Sequence, residues 1–61
     1  MTGSEVVDRL LQDGWLIKSG NEVQIKLVKG DSVVIVPLQP DEALSLGLLQ
    51  AIERQTGVRL T

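Results

Sequence analysis

Glu22, Gln24 and Lys26 are the residues of this 61-residue chain whose types and spacing best suit chemistry. They alternate with large apolar residues in the stretch GNEVQIKLVKG, residues 20–30. A period of two places the three polar side chains on one face of a β-strand. A carboxylate can accept a proton and an ammonium group can hold an anion. The pattern therefore predicts either a solvated strand face or a minimal site made of Glu22 and Lys26.

The composition restricts the chemistry further. The chain has no His, the commonest general base and transition-metal ligand, and no Cys for disulfides or thiolate sites. A metal site would need carboxylates alone, and Asp41 with Glu42 after Pro40 is more typical of a turn. We expect neither a metal nor a cofactor.

The charge balance does not favour a polyanionic partner. Six basic residues stand against eight acidic ones, for a net charge of −2, and the basic residues are scattered. Nucleic-acid binders usually carry a basic excess, although a local basic patch remains open. The longest apolar run, residues 33–38, is far shorter than the roughly 20 residues of a membrane span. With a polar N-terminus as well, we expect a cytoplasmic protein that does not enter the membrane.

Two helices are predicted, one near each end of the chain. The first spans about residues 3–13, because Thr2 and Glu5 have the spacing of a capping box and apolar residues follow at helical intervals. The second spans about residues 46–56, with Ser45 as its N-cap and Gly57 as its stop signal.

Three strands are predicted between the helices. The first spans Trp15–Lys18, the second lies within residues 20–30, and the third spans Ser32–Leu38. Gly-containing turns join them, so they form an antiparallel meander, and Gln39–Leu44 is expected to be a loop. We expect Trp15, the only aromatic residue, to pack in the core.

The chain is therefore predicted to be a single α+β domain, residues 1–61, of order α-β-β-β-α. Both helices cover one face of the three-stranded antiparallel sheet and the other face stays open, a layout of the double-stranded-RNA-binding type. The residues expected in the core are Val6, Leu10, Leu11, Val23, Ile25, Leu27, Leu48 and Ile52.

The open face is expected to be partly apolar. The third strand contains the run Val33, Val34, Ile35 and Val36, so one alternate pair must point away from the helices, and the sequence pattern leaves open which. The neighbouring residues Leu16 and Ile17 repeat this pattern in the first strand. Because monomers seldom expose a contiguous apolar patch, these six residues are predicted to bind a protein partner or a second copy of the chain.

The chain also resembles a known family along nearly its whole length. TGSEVVDRLLQDGW is similar to the opening helix of the HicA toxins, VIVPL to their third strand, and LGLLQAIERQTGV to their closing helix. The resemblance implies a ribonuclease that cuts messenger RNA and is neutralised by a HicB-like antitoxin.

The resemblance also implies a catalytic His at the start of the second strand. The matching position here is Glu22 or, one pleat further, Gln24, and a second family His would fall at Gln39. With no His in the chain, Glu22 supported by Lys26 is the remaining candidate for catalysis.

Two functions follow from these observations. The first is a non-catalytic HicA-like binding module that engages a protein or a second copy through its open face or third-strand edge. The alternative is a HicA-type toxin with altered chemistry, which cleaves or binds RNA and is held by a HicB-like antitoxin. The missing His, the acidic charge balance and the apolar open face favour the first function, so we do not expect the protein to cleave RNA; if it is an enzyme, it is an endoribonuclease.

Overall fold

A computed structural model of the chain describes residues 1–38 and 43–61. The elements in chain order are α1 (Gly3–Gln12), β1 (Leu16–Gly20), β2 (Gln24–Lys29), β3 (Ser32–Pro37) and α2 (Leu46–Thr56). This order and the antiparallel three-stranded sheet confirm the predicted α+β fold. The predicted turn at Pro40 and Asp41, and the position of Gln39, lie outside the described residues.

Helix α1 begins at the predicted capping box. The Glu5 N–H donates to Thr2 Oγ1 at 3.2 Å, and the Thr2 N–H donates to Glu5 Oε1 at 3.0 Å. These two bonds satisfy backbone donors that a helix start otherwise leaves without partners. The helix buries Gly3, Val6, Val7 and Leu10, which recur at intervals of three and four residues.

Helix α2 has the predicted bounds and caps. The Leu48 N–H donates to Ser45 Oγ at 3.2 Å, and Gly57 adopts a left-handed φ of 73°, which a glycine tolerates without steric cost. The C-terminal tail, residues 58–61, then turns back along the helix. Its Leu60 N–H donates to Glu53 Oε2 at 2.6 Å, and Val58 and Leu60 are buried.

The sheet has the order β1-β2-β3, so β1 and β3 are its two edges. Lys29 pairs with Ser32 across a two-residue turn, and this turn sets the register of β2 against β3. The pairing of β1 with β2 is less regular. Ile17 pairs with Leu27 but Ser19 pairs with Lys26, so one extra residue of β1 forms a bulge.

Both helices pack on the same face of the sheet. Buried residues from α1 and α2 form one apolar cluster with Leu27, Val34 and Val36 of the sheet. Trp15 belongs to this cluster with only 2% of its surface exposed, which confirms its predicted packing role. The whole buried cluster consists of Val6, Val7, Leu10, Trp15, Leu27, Val34, Val36, Leu44, Leu49, Ile52, Val58 and Leu60.

Two residues predicted in the core are exposed. Leu11 is 40% exposed, because α1 directs Val7 and Leu10 at the sheet and turns Leu11 to the side. Val23 is 63% exposed, because it precedes β2 instead of belonging to it. Ile25 and Leu48 are half-buried and pack against the core.

The first hairpin turns later than predicted. Asn21 Oδ1 accepts hydrogen bonds from the N–H groups of Val23 and Gln24, at 2.9 and 3.0 Å. This side-chain cap holds residues 21–23 in a bend, so β1 continues to Gly20 and β2 begins at Gln24. Within the described residues, no helix has the length and apolar character needed to cross a bilayer.

Candidate functional site

The open face of the sheet is the side that neither helix covers. Residues that lie directly opposite each other on neighbouring strands point to the same face, so the register assigns its members. One row contains Leu16, Val28 and Val33, and the next contains Ser19, Lys26 and Ile35. Gln24 and Pro37 complete the open face at one end.

Lys26 gives this face a cation between a serine and an aliphatic residue. It lies between Ser19 and Ile35, and its side chain is partly covered. Among residues 1–38 and 43–61, no carboxylate lies within ion-pair distance of its ammonium group. An incoming phosphate or carboxylate would therefore meet a cation that no carboxylate of the described residues already engages.

Lys29, three residues further along β2, is engaged differently. Its Nζ donates to the backbone oxygen of Asp13 at 2.7 Å and lies 3.5 Å from the Asp13 carboxylate. A cation at this place satisfies a carbonyl at the C-terminal end of α1 and complements the helix dipole. Lys29 therefore ties β2 to α1.

Glu22 does not lie on the strand face where the sequence pattern placed it. It sits in the bend that Asn21 caps, before β2 begins, and it is exposed. Gln24 and Lys26 do share the open face as predicted. The period-two argument fails for Glu22 because alternation of faces holds only within regular strand pairing.

The aliphatic residues predicted to bind a partner divide between the two faces. Val33 and Ile35 point to the open side and are each 49% exposed, whereas Val34 and Val36 are buried in the core. Leu16 is 66% exposed on the open face. Ile17 pairs with Leu27 and so belongs to the helix side.

This division corrects the predicted partner surface. Val34 and Val36 lie under the helices and are removed from it, and Ile17 is half-exposed at the β1 edge of the opposite face. Leu16, Val33 and Ile35 remain as its exposed aliphatic members.

Two members of the open face were missed from the sequence. Val28 is half-buried between Leu16 and Val33, and Ser19 lies beside Lys26. The two-residue turn after Lys29 could have assigned Val28 to the open face from the sequence, because it fixes which residues of β2 and β3 lie opposite each other. No comparable signal marks the β1 bulge that places Ser19.

The carboxylates with shifted acidity serve the fold. The backbone N–H of Thr2 lowers the pKa of Glu5 below its usual value, and those of Leu60 and Thr61 lower the pKa of Glu53. Glu5 is hydrogen-bonded at the start of α1 and Glu53 to the C-terminal tail, and both lie outside the open face. Within the described ranges, no three carboxylates come together to form a metal site.

These features define a class of protein: a small α+β domain with one sheet face under two helices and the other open around a lysine. The chain belongs to the HicA toxin family of bacterial toxin–antitoxin systems, whose sequence profile matches residues 3–58. The match includes every helix and strand described above. No curated protein and no solved structure gives a significant match.

Proposed function

We propose that the protein is the toxin of a toxin–antitoxin pair, that its target class is RNA, and that a HicB-like antitoxin neutralises it. The observation that carries this proposal is the family match over residues 3–58. Because the match extends through the whole domain, it favours the toxin function over the binding module, which the sequence favoured through its missing His, acidic charge balance and apolar face.

We place both the RNA contact and the antitoxin contact on the open face. Lys26 supplies a cation for an RNA phosphate, and it has no ion-pair partner among residues 1–38 and 43–61. Leu16, Val33 and Ile35 supply exposed apolar area that a protein can bury. An antitoxin seated on these aliphatic residues would cover Lys26 and exclude RNA.

Strand cleavage by this chain requires chemistry without an imidazole, because the sequence contains no His. Glu22 would accept the proton of the attacking ribose 2′-hydroxyl, and Lys26 would stabilise the charge that develops on the phosphate. As the bond from the 2′-oxygen to phosphorus forms, the bond from phosphorus to the 5′-oxygen breaks, and water protonates the departing 5′-oxygen. The two residues are four positions apart, about 13 Å along a fully extended chain. The bend at Asn21 lies within that path, so the two residues are closer together than in an extended strand.

A second function, binding without cleavage, is favoured by a specific observation. Glu22 lies in the bend outside β2, and no carboxylate of the described residues forms an ion pair with Lys26. A base and a cation that are not held together provide little preorganisation for catalysis. In this case the domain would bind RNA or its antitoxin and leave the RNA intact.

Induced expression in a bacterial host tests the toxin function. We expect growth arrest when the chain is induced alone, and rescue when a HicB-like reading frame from the neighbouring position is co-expressed. Lys26→Ala should relieve the arrest, whereas Arg59→Ala, which removes an exposed cation from the tail, should not. Normal growth with abundant soluble protein would contradict the toxin function.

Incubation of purified protein with single-stranded RNA separates cleavage from binding. If Glu22 is the base, cleavage should occur and should be lost in Glu22→Gln, because an amide cannot accept the proton. RNA that is bound but remains intact would support the second function. Cleavage that persists in both Glu22→Gln and Lys26→Ala would exclude this pair as the site.

A further inference from the structure

Within residues 1–38 and 43–61, the outer edge of β3 presents backbone groups without sheet partners. The Leu38 N–H donates to the Val23 oxygen at 2.7 Å, beyond the end of the β2–β3 ladder. Bonded pairs in an antiparallel ladder recur at every second residue. Counting back from Leu38, the N–H and C=O groups of Val33 and Ile35 must point away from β2, at the outer edge of the sheet.

Within the described residues, the part of this edge from Ser32 to Val36 carries no charged side chain, proline or bulge that would hinder strand pairing. Natural edge strands often carry charged side chains or inward-pointing Lys residues. Here the sequence Ser32–Pro37 is uncharged and contains four consecutive β-branched residues. The side chains of Val33 and Ile35 are also half-exposed on the open face beside these backbone groups.

One end of the edge is closed. Pro37 has no N–H to donate, and the Gly3 backbone packs so closely against the Pro37 carbonyl that a Cβ at Gly3 would collide with it. The residues before Gly3 are held in place as well, because the Leu44 N–H donates to the Met1 oxygen at 2.7 Å. The part of β3 that can accept a new strand is therefore residues 32–36.

We propose that a second copy of the chain pairs with this edge, with antiparallel β3 strands related by a two-fold axis at Val34. In this register Val33 of each copy lies opposite Ile35 of the other, and each of these pairs exchanges both backbone bonds. A two-fold axis closer to Pro37 would form fewer hydrogen bonds between the strands, because Pro37 has no backbone N–H to donate. The result is a continuous six-stranded sheet with the helices of both copies on one side.

The charge distribution favours a second copy at the edge over stacking of two open faces. Face-to-face stacking about a two-fold axis would bring the two Lys26 ammonium groups toward each other, whereas the β3 edge has no charge to repel. Edge pairing also places Val33 beside Ile35 of the second copy on the open face, which joins two half-exposed aliphatic residues.

The contact is small, so the expected dimer is weak. It belongs to the low end of interface sizes, and we expect a dissociation constant of roughly 10–1,000 µM. The inference does not depend on the toxin function, since it follows from the sheet edge and its register.

Hydrogen exchange on the unaltered protein tests the register directly. The amide protons of Val33 and Ile35 should exchange about two- to fivefold more slowly as the protein concentration rises from tens of micromolar to about one millimolar, because the fraction of monomer, which alone exposes them, falls by that factor. Ile17, whose amide faces outward on the opposite edge, provides the internal control and should not change. Equal rates at all concentrations, with a monomeric sedimentation coefficient at one millimolar, would overturn the proposal.

A matched pair of variants separates edge pairing from face stacking. Ile35→Lys and Leu16→Lys both add a charge to the open face, one at the β3 edge and one at the β1 edge. Sedimentation should show at least tenfold weaker dimerisation for Ile35→Lys and no change for Leu16→Lys. Equal weakening by both would indicate stacking and overturn the proposal. Should Ile35→Lys lose its fold by circular dichroism, Val33→Pro tests the same edge, because it removes only an outward-pointing donor.

Discussion

Lys26 on β2 lies directly opposite Ile35 on β3, so a half-buried cation and an exposed aliphatic side chain adjoin each other on the open face. A surface of this kind suits a partner that brings an anionic group together with apolar area. Loss of the cation should therefore weaken RNA binding, whereas loss of the aliphatic side chain should weaken association with a protein.

Lys26→Ala is expected to weaken RNA binding in a salt-dependent manner. Each phosphate contact releases counterions, so the logarithm of the association constant falls as the logarithm of the salt concentration rises. Removing one contact should make this slope less steep by about 1. Fluorescence anisotropy with a labelled single-stranded RNA between about 50 and 200 mM salt measures this slope. Arg59→Ala is the charge-matched control, and an equal loss in both variants would indicate non-specific attraction.

Threonine substitutions should distinguish the two faces of β3. Val34→Thr and Val36→Thr place a hydroxyl group in the core and are each expected to lower the free energy of unfolding by about 1–3 kcal/mol. Val33→Thr and Ile35→Thr change exposed positions and should alter it by no more than about 0.5 kcal/mol.

Urea denaturation of the four variants measures these differences. The exposed pair should instead reduce association with the antitoxin or with a second copy. Equal destabilisation by both pairs would show that the open face is also buried in the folded protein.

Truncation of the helix cores should separate Leu10 from Leu11. Leu10→Ala and Ile52→Ala are expected to cost about 2–5 kcal/mol, because both side chains are buried and leave cavities. Leu11→Ala keeps the same chemistry at a position that is 40% exposed, so its cost should be clearly smaller. Thermal unfolding compares the three, and a Leu11→Ala cost equal to that of Leu10→Ala would place Leu11 in the core.

The contact of Glu53 with the C-terminal tail should make stability depend on pH. The N–H groups of Leu60 and Thr61 hold the pKa of Glu53 below its ordinary value of 4.5 in the folded state. A carboxylate with a lowered folded pKa contributes stability above its unfolded pKa, and this contribution is lost as the pH falls through the folded pKa.

Glu53→Gln should therefore be less stable than the unaltered protein at pH 7, and the difference should shrink as the pH falls below about 4.5. Urea midpoints at pH 7 and pH 3 measure it. Asp8→Asn, which removes an exposed carboxylate from α1, is the control for net charge. A difference between Glu53→Gln and the unaltered protein that stays constant over this pH range would mean that the ionised carboxylate does not hold the tail.

Much of the fold could be predicted because local signals agreed with one another. The caps at Thr2 and Ser45 and the left-handed Gly57 mark helix ends by chemistry confined to a few residues. The short turn before Ser32 sets the β2–β3 register for the same reason. Even the division of β3 was accessible in principle: once Leu27 is assigned to the core, its pairing places Val34 beside it.

The sequence by itself thus determined the element order, the helix ends and the polar character of Gln24 and Lys26. Only the tertiary structure decided which residues surround them. The Asn21 side chain bends the chain before Gln24 and removes Glu22 from the strand, and the β1 bulge places Ser19 beside Lys26. Neither event follows from a periodic pattern, because a bend and a bulge each shift the alternation of faces by a local hydrogen-bonding choice that depends on the neighbouring strand.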